Sequence, residues 1–114
     1  MNELTEVVES YKEYMLKIAP GCIAIANMLR SDDIRTALQL ILQFSEGMGW
    51  LVQATDLLKE NDVIVTLQVE QIHEFLNEIN NGLQIQDYVL VADMFEYEIA
   101  PFFEQTTAIE GIEQ

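Results

Sequence analysis

The first thirty residues carry apolar side chains at alternating spacings of four and three. The series is Leu4, Val8, Tyr11, Met15, Ile18, Cys22, Ile25 and Leu29, which is the period of one face of a helix. Pro20 and Gly21 lie in its middle, and such a pair is typical of a break between helices. The spacing nevertheless keeps its phase across the pair, whereas a loop would shift it. The pattern therefore predicts one long first helix that is kinked at Pro20.

Three more helical patterns follow, separated by polar turns. They predict helices over residues 32–59, 62–80 and 87–104, although the β-branched run at 63–66 disfavours helix at the start of the third. We expect the third helix to end at Asn80, Asn81 and Gly82, since these residue types tolerate the left-handed conformation that often follows a helix. The predicted fold is all-α, an antiparallel four-helix bundle with a long, Pro-kinked first helix. Residues 1–104 form its single domain, and 105–114 are expected to be a frayed acidic tail.

The predicted last helix is apolar around most of its circumference. One row of apolar side chains comprises Tyr88, Val91, Ala92, Phe95, Ile99, Phe102 and Phe103. A second row comprises Leu90, Met94 and Tyr97. Because a surface helix needs only one stripe, we expect this helix to pack on two neighbours, or on one neighbour and a second copy of the chain. Pro101 is expected to kink or loosen the last turn.

Two glycines, Gly47 and Gly49, lie just before Trp50 in the predicted second helix. Each glycine costs up to about 1 kcal/mol relative to alanine inside a helix, so the pair requires a reason. The structural interpretation is a close approach by another helix or by a bulky ring. The functional alternative is a ligand contact or a hinge beside Trp50.

Charge is distributed unevenly along the 114 residues, whose formal net charge is −15. The cations are Lys12, Lys17, Arg30, Arg35 and Lys59, and from residue 60 onward there are twelve acids and no Lys or Arg. Such a surface repels nucleic-acid backbones and anionic membranes. The acidic charge is then explained by a basic protein partner, by bound cations or simply by a need for solubility. Neither a cationic leader with an apolar run nor an apolar stretch of about 20 residues is present, and there is one cysteine, so we expect a cytoplasmic protein.

Catalytic and metal-binding patterns are weak. Glu70 and His73 form a Glu-x-x-His pair, which contributes to di-iron sites in helical bundles, but one histidine cannot complete such a site within one subunit. In one interpretation Glu70 and His73 are an ordinary surface pair. In the alternative, two copies of the chain meet in a dimer, and Asp93 or Glu96 supplies the remaining carboxylates of a metal site. Cys22 lies on the apolar row of the first helix, where a thiol is usually inert. No glycine-rich phosphate loop is present. We therefore expect neither enzymatic activity nor a cofactor.

Two stretches resemble a known family. Residues 87–101, DYVLVADMFEYEIAP, and residues 46–51, EGMGWL, look like a family of small acidic helical proteins of low-GC Gram-positive bacteria that has no assigned function. The resemblance covers most of the chain and implies a bacterial, cytosolic, helical protein. It carries over no catalytic residues.

The pattern favours a non-enzymatic protein-binding or adaptor protein, at most similar to the chaperones of secreted or flagellar subunits. Such a protein would use an acidic surface and an apolar groove between helices. A basic protein partner and a homo-oligomer are expected. The candidate binding residues are Trp50, Met94, Tyr97, Phe102, Phe103, Asp93, Glu96 and Glu98. The acids among them either occupy an exposed stripe or pair with a cation such as Arg30 or Arg35. The alternative function is a metal- or small-ligand-binding bundle assembled as a dimer, using Glu70, His73, Asp93 and Glu96.

Overall fold

The computed structural model describes residues 3–106. The helices are α1 (Glu3–Arg30), α2 (Ile34–Glu60), α3 (Val69–Gln84), α4 (Tyr88–Met94) and α5 (Ala100–Gln105). A π-helical turn, Phe95–Ile99, joins α4 to α5 without a break, so the three form one continuous last helix. The described chain thus contains four helices and no strand, which confirms the predicted all-α class. None of these helices is both long and apolar enough to cross a lipid bilayer.

The first helix continues through Pro20, as its unbroken apolar phase predicted. Proline lacks the N–H that an interior helical residue donates, so the continuity must come from packing. That packing is extensive: α1 lies against α2 on one side and against α4, the π turn and α5 on the other. The buried positions of α1 include Met15, Ile18, Cys22 and Ile25 from the predicted row.

Neighbouring helices run antiparallel. In α3 and the last helix, Gly82 lies next to Val91, and Phe75 meets Phe102 with ring centroids 5.4 Å apart, so residue numbers rise in one helix as they fall in the other. Short turns impose the same relation on α1 and α2. The last helix contacts both α1 and α3. This agrees with the prediction that it packs on two neighbours.

All three turns between helices use the same backbone cap. Asp32, Asp62 and Gln86 each adopt a positive φ, of 62°, 64° and 56°. In each turn the next residue donates its N–H to a carbonyl five residues earlier, namely Asp33 to Met28, Val63 to Leu58 and Asp87 to Gly82. This is the hydrogen bond of a Schellman cap, which satisfies carbonyls that the ending helix leaves unpaired.

The prediction that Asn80, Asn81 and Gly82 end the third helix is wrong. The helix continues to Gln84, and the left-handed residue is Gln86. Gly82 instead lies against α4, where a Cβ added to it would be only 2.7 Å from Val91 Cγ2. Its missing side chain serves packing rather than a turn.

The third helix also begins later than predicted, at Val69 rather than near residue 62. Residues 63–68 have no regular secondary structure. Two local causes act together: the cap at Asp62 turns the chain away from the helical path, and β-branched side chains lose rotamer freedom in a helix. The segment's inward and outward residues alternate, which is the period of an extended chain.

The core holds one buried polar contact between α1 and α2. The Tyr11 hydroxyl and Thr55 Oγ1 are 2.8 Å apart, and Thr55 donates its own proton to the Leu51 carbonyl at 2.8 Å. Tyr11 is therefore the donor to Thr55. Cys22, farther along α1, is also buried, and burial raises the pKa of its thiol to about 12. The thiolate that a nucleophile requires is thus strongly disfavoured.

The glycine pair in α2 has two different explanations. A Cβ on Gly47 would collide with the Tyr14 hydroxyl, so this glycine makes room for a ring, as the structural interpretation predicted. Gly49 has open space around it. The Tyr14 ring in turn meets Trp50 edge to face, with centroids 5.9 Å apart.

Candidate protein-binding surface

The last helix begins with a well-formed N-cap. The Asp87 carboxylate accepts a hydrogen bond from the Leu90 N–H at 3.1 Å, while the Asp87 N–H closes the preceding turn. Aspartate is among the best residues at this position because it satisfies an unpaired amide and suits the positive end of the helix dipole. The cap fixes where α4 begins and hence which side chains face outward.

The side chains of the first predicted apolar row of the last helix lie mainly in the hydrophobic core. Val91, Phe95, Ile99 and Phe103 are fully buried. Phe95 meets Phe44 of α2 edge to face at 5.2 Å, and half-buried Phe102 lies between Phe75 and Phe103. Met94 is also buried. Met94 and Phe103 therefore stabilise the bundle and offer no surface to a partner.

The second apolar row is split. Met94 faces the core, whereas Leu90 and Tyr97 are 44% and 66% exposed. The π turn contributes to this: Ala100 donates to the Phe95 carbonyl five residues back, so the wider turn carries three consecutive outward residues, 96–98. Pro101 follows directly and has no N–H to complete ordinary α-helical bonding.

An exposed patch results at the start of the last helix. We call it the α4 patch and define it as Ile85, Val89, Leu90, Asp93, Glu96 and Tyr97. Ile85 and Val89 are 70% and 71% exposed. Exposed apolar groups on this scale, next to charged ones, are typical of interaction surfaces when they lie together.

Arg30, the last residue of α1, crosses to this patch. Its guanidinium donates to Asp93 at 2.8 Å and to Glu96, and its central carbon lies 5.8 Å from the centre of the Tyr97 ring. The hydrogen bond that Arg30 donates to Asp93, followed by the one it donates to Glu96, raises the pKa of Arg30 above its ordinary value. Two carboxylates and an aromatic ring are thus arranged around one guanidinium, and Arg30 is one of the two cations that the sequence offered as a partner for the acids.

A cavity of about 480 Å³ adjoins the patch at the same end of the bundle. The α1–α2 turn and the α3–α4 turn form its walls, with Arg30, Asp32, Asp87 and Val89 among the lining residues. Of these residues, Arg30 contacts the α4 patch and Val89 belongs to it. Its three charged groups include two acids, so the cavity continues the acidic character of the patch.

The other candidate residues lie elsewhere. Trp50 is 38% exposed and packs on Tyr11 and Tyr14, near an apolar groove of about 200 Å³ between α1 and α2. Tyr14 and Arg30 are 16 residues apart on α1, or roughly 24 Å at the helical rise. Trp50 therefore belongs to a separate surface. Glu98 is exposed on the π turn, and no contact in the described chain links it to Arg30.

The residues of the metal-binding alternative are not brought together within one subunit. Glu70 and His73 are exposed on α3. They precede Phe75, which lies next to Phe102, whereas Asp93 and Glu96 lie near the opposite end of the last helix. Residues 3–106 contain no group of three or more His, Cys, Asp or Glu side chains placed to hold a metal ion.

Sequence reasoning missed the apolar half of the α4 patch. Val89 and Ile85 were not among the candidates, because an apolar residue in an apolar segment carries no sign of exposure. The available signal was periodicity, since Val89 lies outside both predicted rows of the last helix.

Comparison with known proteins identifies one family. The model of a family described as a domain of unknown function (DUF8042) matches residues 6–109. No curated protein and no solved structure matches the chain. The family match agrees with the resemblance found in the sequence as far as it concerns a family without an assigned function.

Proposed function

The chain belongs to the DUF8042 family of domains of unknown function, and we propose that it is a non-enzymatic protein-binding or adaptor domain. In this proposal the α4 patch holds a segment of another protein. The segment is basic and partly apolar. In a more specific version of this proposal, the domain acts as a chaperone for such a segment.

The main support is the exposure of large apolar side chains on a helix whose opposite face is fully packed. Val89 and Tyr97 are 71% and 66% exposed, while Val91 and Phe95 on the same helix are completely buried. Folding the monomer does not require these outward residues. Tyrosine is also enriched among residues that dominate binding energy at interfaces, because it offers a large rigid surface and a polar end.

Charge supports a basic partner. From residue 60 onward the chain has twelve acids and no Lys or Arg. Arg30 already occupies the space between Asp93, Glu96 and Tyr97, which demonstrates that this arrangement accommodates a guanidinium. Arginine or lysine side chains of a partner would add charge-assisted hydrogen bonds to the same acids or to their neighbours.

Cys22 and His73 support a non-enzymatic role, and Cys22 also supports a reducing compartment such as the cytoplasm. The Cys22 thiol, with a pKa of about 12, is poorly suited to nucleophilic catalysis. His73 is exposed on α3, so it is not held beside that buried thiol. A buried free cysteine also suits a reducing compartment.

Self-association is the second candidate, favoured by exposed leucines on other helices. Leu16 of α1 and Leu42 of α2 are 68% and 61% exposed, and burying such residues is a usual source of dimer stability. Native mass spectrometry tests this and the metal alternative together. A metal-free dimer supports self-association, a metal-free monomer contradicts both ideas, and a metal-loaded dimer favours the Glu70 and His73 site.

Photo-crosslinking tests the main proposal. A photoreactive amino acid replaces Val89 in one variant and the exposed Glu74 of α3 in a control variant. Each purified protein is irradiated in a lysate of the source organism, and the crosslinked peptides are sequenced by mass spectrometry. We expect the position-89 variant to capture a defined segment that combines Lys or Arg with apolar residues.

The control decides whether the capture is specific. Position 74 is acidic, exposed and on a different helix, so it should capture little of the same segment. Equal capture at both positions, or captured segments without basic residues, would contradict the proposal.

A further inference from the structure

We infer that the α4 patch binds an arginine of its partner at the place that Arg30 now occupies, so that Arg30 is an internal competitor of the partner. This role rests on the proposed function of the α4 patch, and it adds the identity of the partner's side chain and the residue that controls its access. It also fixes the sign of a mutational effect. Removal of a competitor strengthens binding, whereas removal of a binding contact weakens it.

The contacts of Arg30 suit a guanidinium better than an ammonium. Its Nη2 donates to Asp93 Oδ1 at 2.8 Å, and its Nη1 donates to Glu96 Oε1. The same group lies over the Tyr97 ring, 5.8 Å from the centroid. One planar cation thus serves two carboxylates at once and also lies against an aromatic ring, which is the recognition geometry that distinguishes arginine from lysine. A partner that uses this site should therefore present arginine.

Arg30 can leave the site at little cost. The side chains of Arg30, Asp93 and Glu96 are 35%, 51% and 31% exposed. Ion pairs that are this open to water contribute little net stability, because solvent and salt compete with them. An incoming guanidinium therefore replaces a surface interaction of similar strength and leaves the core of the bundle intact.

A cavity beside Arg30 offers room for the displaced side chain. Its volume is about 480 Å³, and Arg30 lines it together with Asp32 and Asp87. A guanidinium that leaves Asp93 and Glu96 thus remains next to carboxylates when it moves toward the cavity. Four acids contact Arg30 or share its cavity, and this surplus of negative charge favours the entry of a second guanidinium.

The test compares two peptides of equal charge and equal apolar content, LRRLLRLLRRLLRLL and LKKLLKLLKKLLKLL. Each is titrated into the full-length ¹⁵N-labelled chain and followed by nuclear magnetic resonance. We expect the arginine peptide to bind the parent chain at least about threefold more tightly than the lysine peptide, with amide shifts at residues 85–97.

Arg30→Gln should bind the arginine peptide about three- to tenfold more tightly than the parent chain does. This range corresponds to a site that Arg30 fills in roughly 70–90% of the parent molecules, since the apparent affinity falls with the fraction that is open. Arg30→Lys keeps the charge but cannot bond both acids in the same way, so its affinity should lie between those of the parent and Arg30→Gln.

Arg35→Gln is the charge-matched control. Arg35 is exposed at the start of α2, outside the α4 patch. Its loss changes the net charge by the same amount as the loss of Arg30 and should change the affinity by less than about twofold. Equal helix content by circular dichroism confirms that all three variants are folded.

The arginine side-chain signals report the displacement directly. The chain contains two arginines, Arg30 and Arg35, so the Nε–Hε signal that is missing in Arg30→Gln belongs to Arg30. We expect the unlabelled arginine peptide to shift the Arg30 signal and to leave the Arg35 signal in place.

Four results would overturn this role of Arg30 and leave the proposed function standing. These are equal binding of the two peptides by the parent chain, unchanged or weaker binding by Arg30→Gln, an equal gain in Arg30→Gln and Arg35→Gln, and an Arg30 signal that stays in place while the amides of residues 85–97 shift. If those amides shift in neither the parent nor Arg30→Gln at millimolar peptide, the proposed function itself is refuted, and the role of Arg30 with it.

Discussion

Gly82 of α3 and Val91 of α4 lie in tight contact between two helices: a Cβ on Gly82 would lie 2.7 Å from Val91 Cγ2. We expect Gly82→Ala to lower the free energy of unfolding by about 1–3 kcal/mol, since the stiff, fully buried valine cannot move away without repacking. Urea denaturation followed by circular dichroism measures the change.

Gly49→Ala is the matched control for that substitution. Gly49 lies inside α2 with no atom within 4 Å of an added Cβ, so alanine should raise stability by about 0.5–1 kcal/mol. If both substitutions raised the free energy of unfolding, or both lowered it, the result would be inconsistent with the packing described here.

The shared turn geometry predicts a stabilising substitution at Gln86. Its φ of 56° is unfavourable for a residue with a side chain but easy for glycine. Gln86→Gly should therefore raise the free energy of unfolding by about 0.5–1 kcal/mol. Glu78→Gly, on the exposed face of α3, should lower it by about 1 kcal/mol. If Gln86→Gly destabilised the protein as much as Glu78→Gly, the cap assignment would be wrong.

The buried pair of Tyr11 and Thr55 predicts strong coupling. Thr55→Val leaves the Tyr11 hydroxyl without its acceptor in the core and should cost about 1–3 kcal/mol. Adding Tyr11→Phe removes the stranded hydroxyl, so the double variant should be more stable than Thr55→Val alone. A thermodynamic cycle over the four proteins measures this; strictly additive losses would argue against the hydrogen bond.

Alkaline pH should destabilise the protein through Cys22. Burial raises the pKa of its thiol from 9.0 to about 12, so below pH 9 the thiol is protonated in both the folded and the unfolded state. Between these values only the unfolded state ionises, and stability should fall by up to about 1.4 kcal/mol per pH unit. Burial also raises the pKa of Tyr11 and of Tyr14, which acts in the same direction.

Denaturation curves at several pH values from neutral to about 11 test this prediction. Cys22→Ala lacks the titrating thiol, so its stability should fall less steeply above pH 9 than that of the parent chain, whatever its starting value. Parallel curves for the two proteins would show that Cys22 does not titrate as described.

The sequence was sufficient to predict the fold class, because the spacing of apolar residues along a helix is a local property. The spacing from Leu4 to Leu29 continued across Pro20, and one helix formed. Boundaries were less predictable where several residues offered the same signal. Asn80, Asn81 and Gly82 each favoured an end of α3, but Gly82 contacts Val91, which is close only in the folded chain, and it stays inside the helix.

The geometry of the proposed binding surface was predictable only in part. Asp93, Glu96 and Tyr97 were among the candidate residues on the last helix, and Arg30 or Arg35 was named as a partner for the acids. The structure brings Arg30, Asp93, Glu96 and Tyr97 together. Met94 was offered as a surface residue, although it is buried. Periodicity shows which residues share a face but not which face meets a neighbour, and a π turn changes the phase within the helix.

The most direct test of the proposed function is a nuclear magnetic resonance titration with a cationic amphipathic peptide, LKKLLKLLKKLLKLL. The account predicts that amide shifts concentrate at residues 85–97 and that binding weakens as salt rises from about 50 to 500 mM. The double substitution Leu90→Ala and Tyr97→Ala should weaken binding at least about tenfold, whereas Leu16→Ala, at an exposed apolar site on α1, should not. Shifts spread over other helices, or equal affinity for the α4 variant and the parent chain, would contradict the α4 patch as the binding surface.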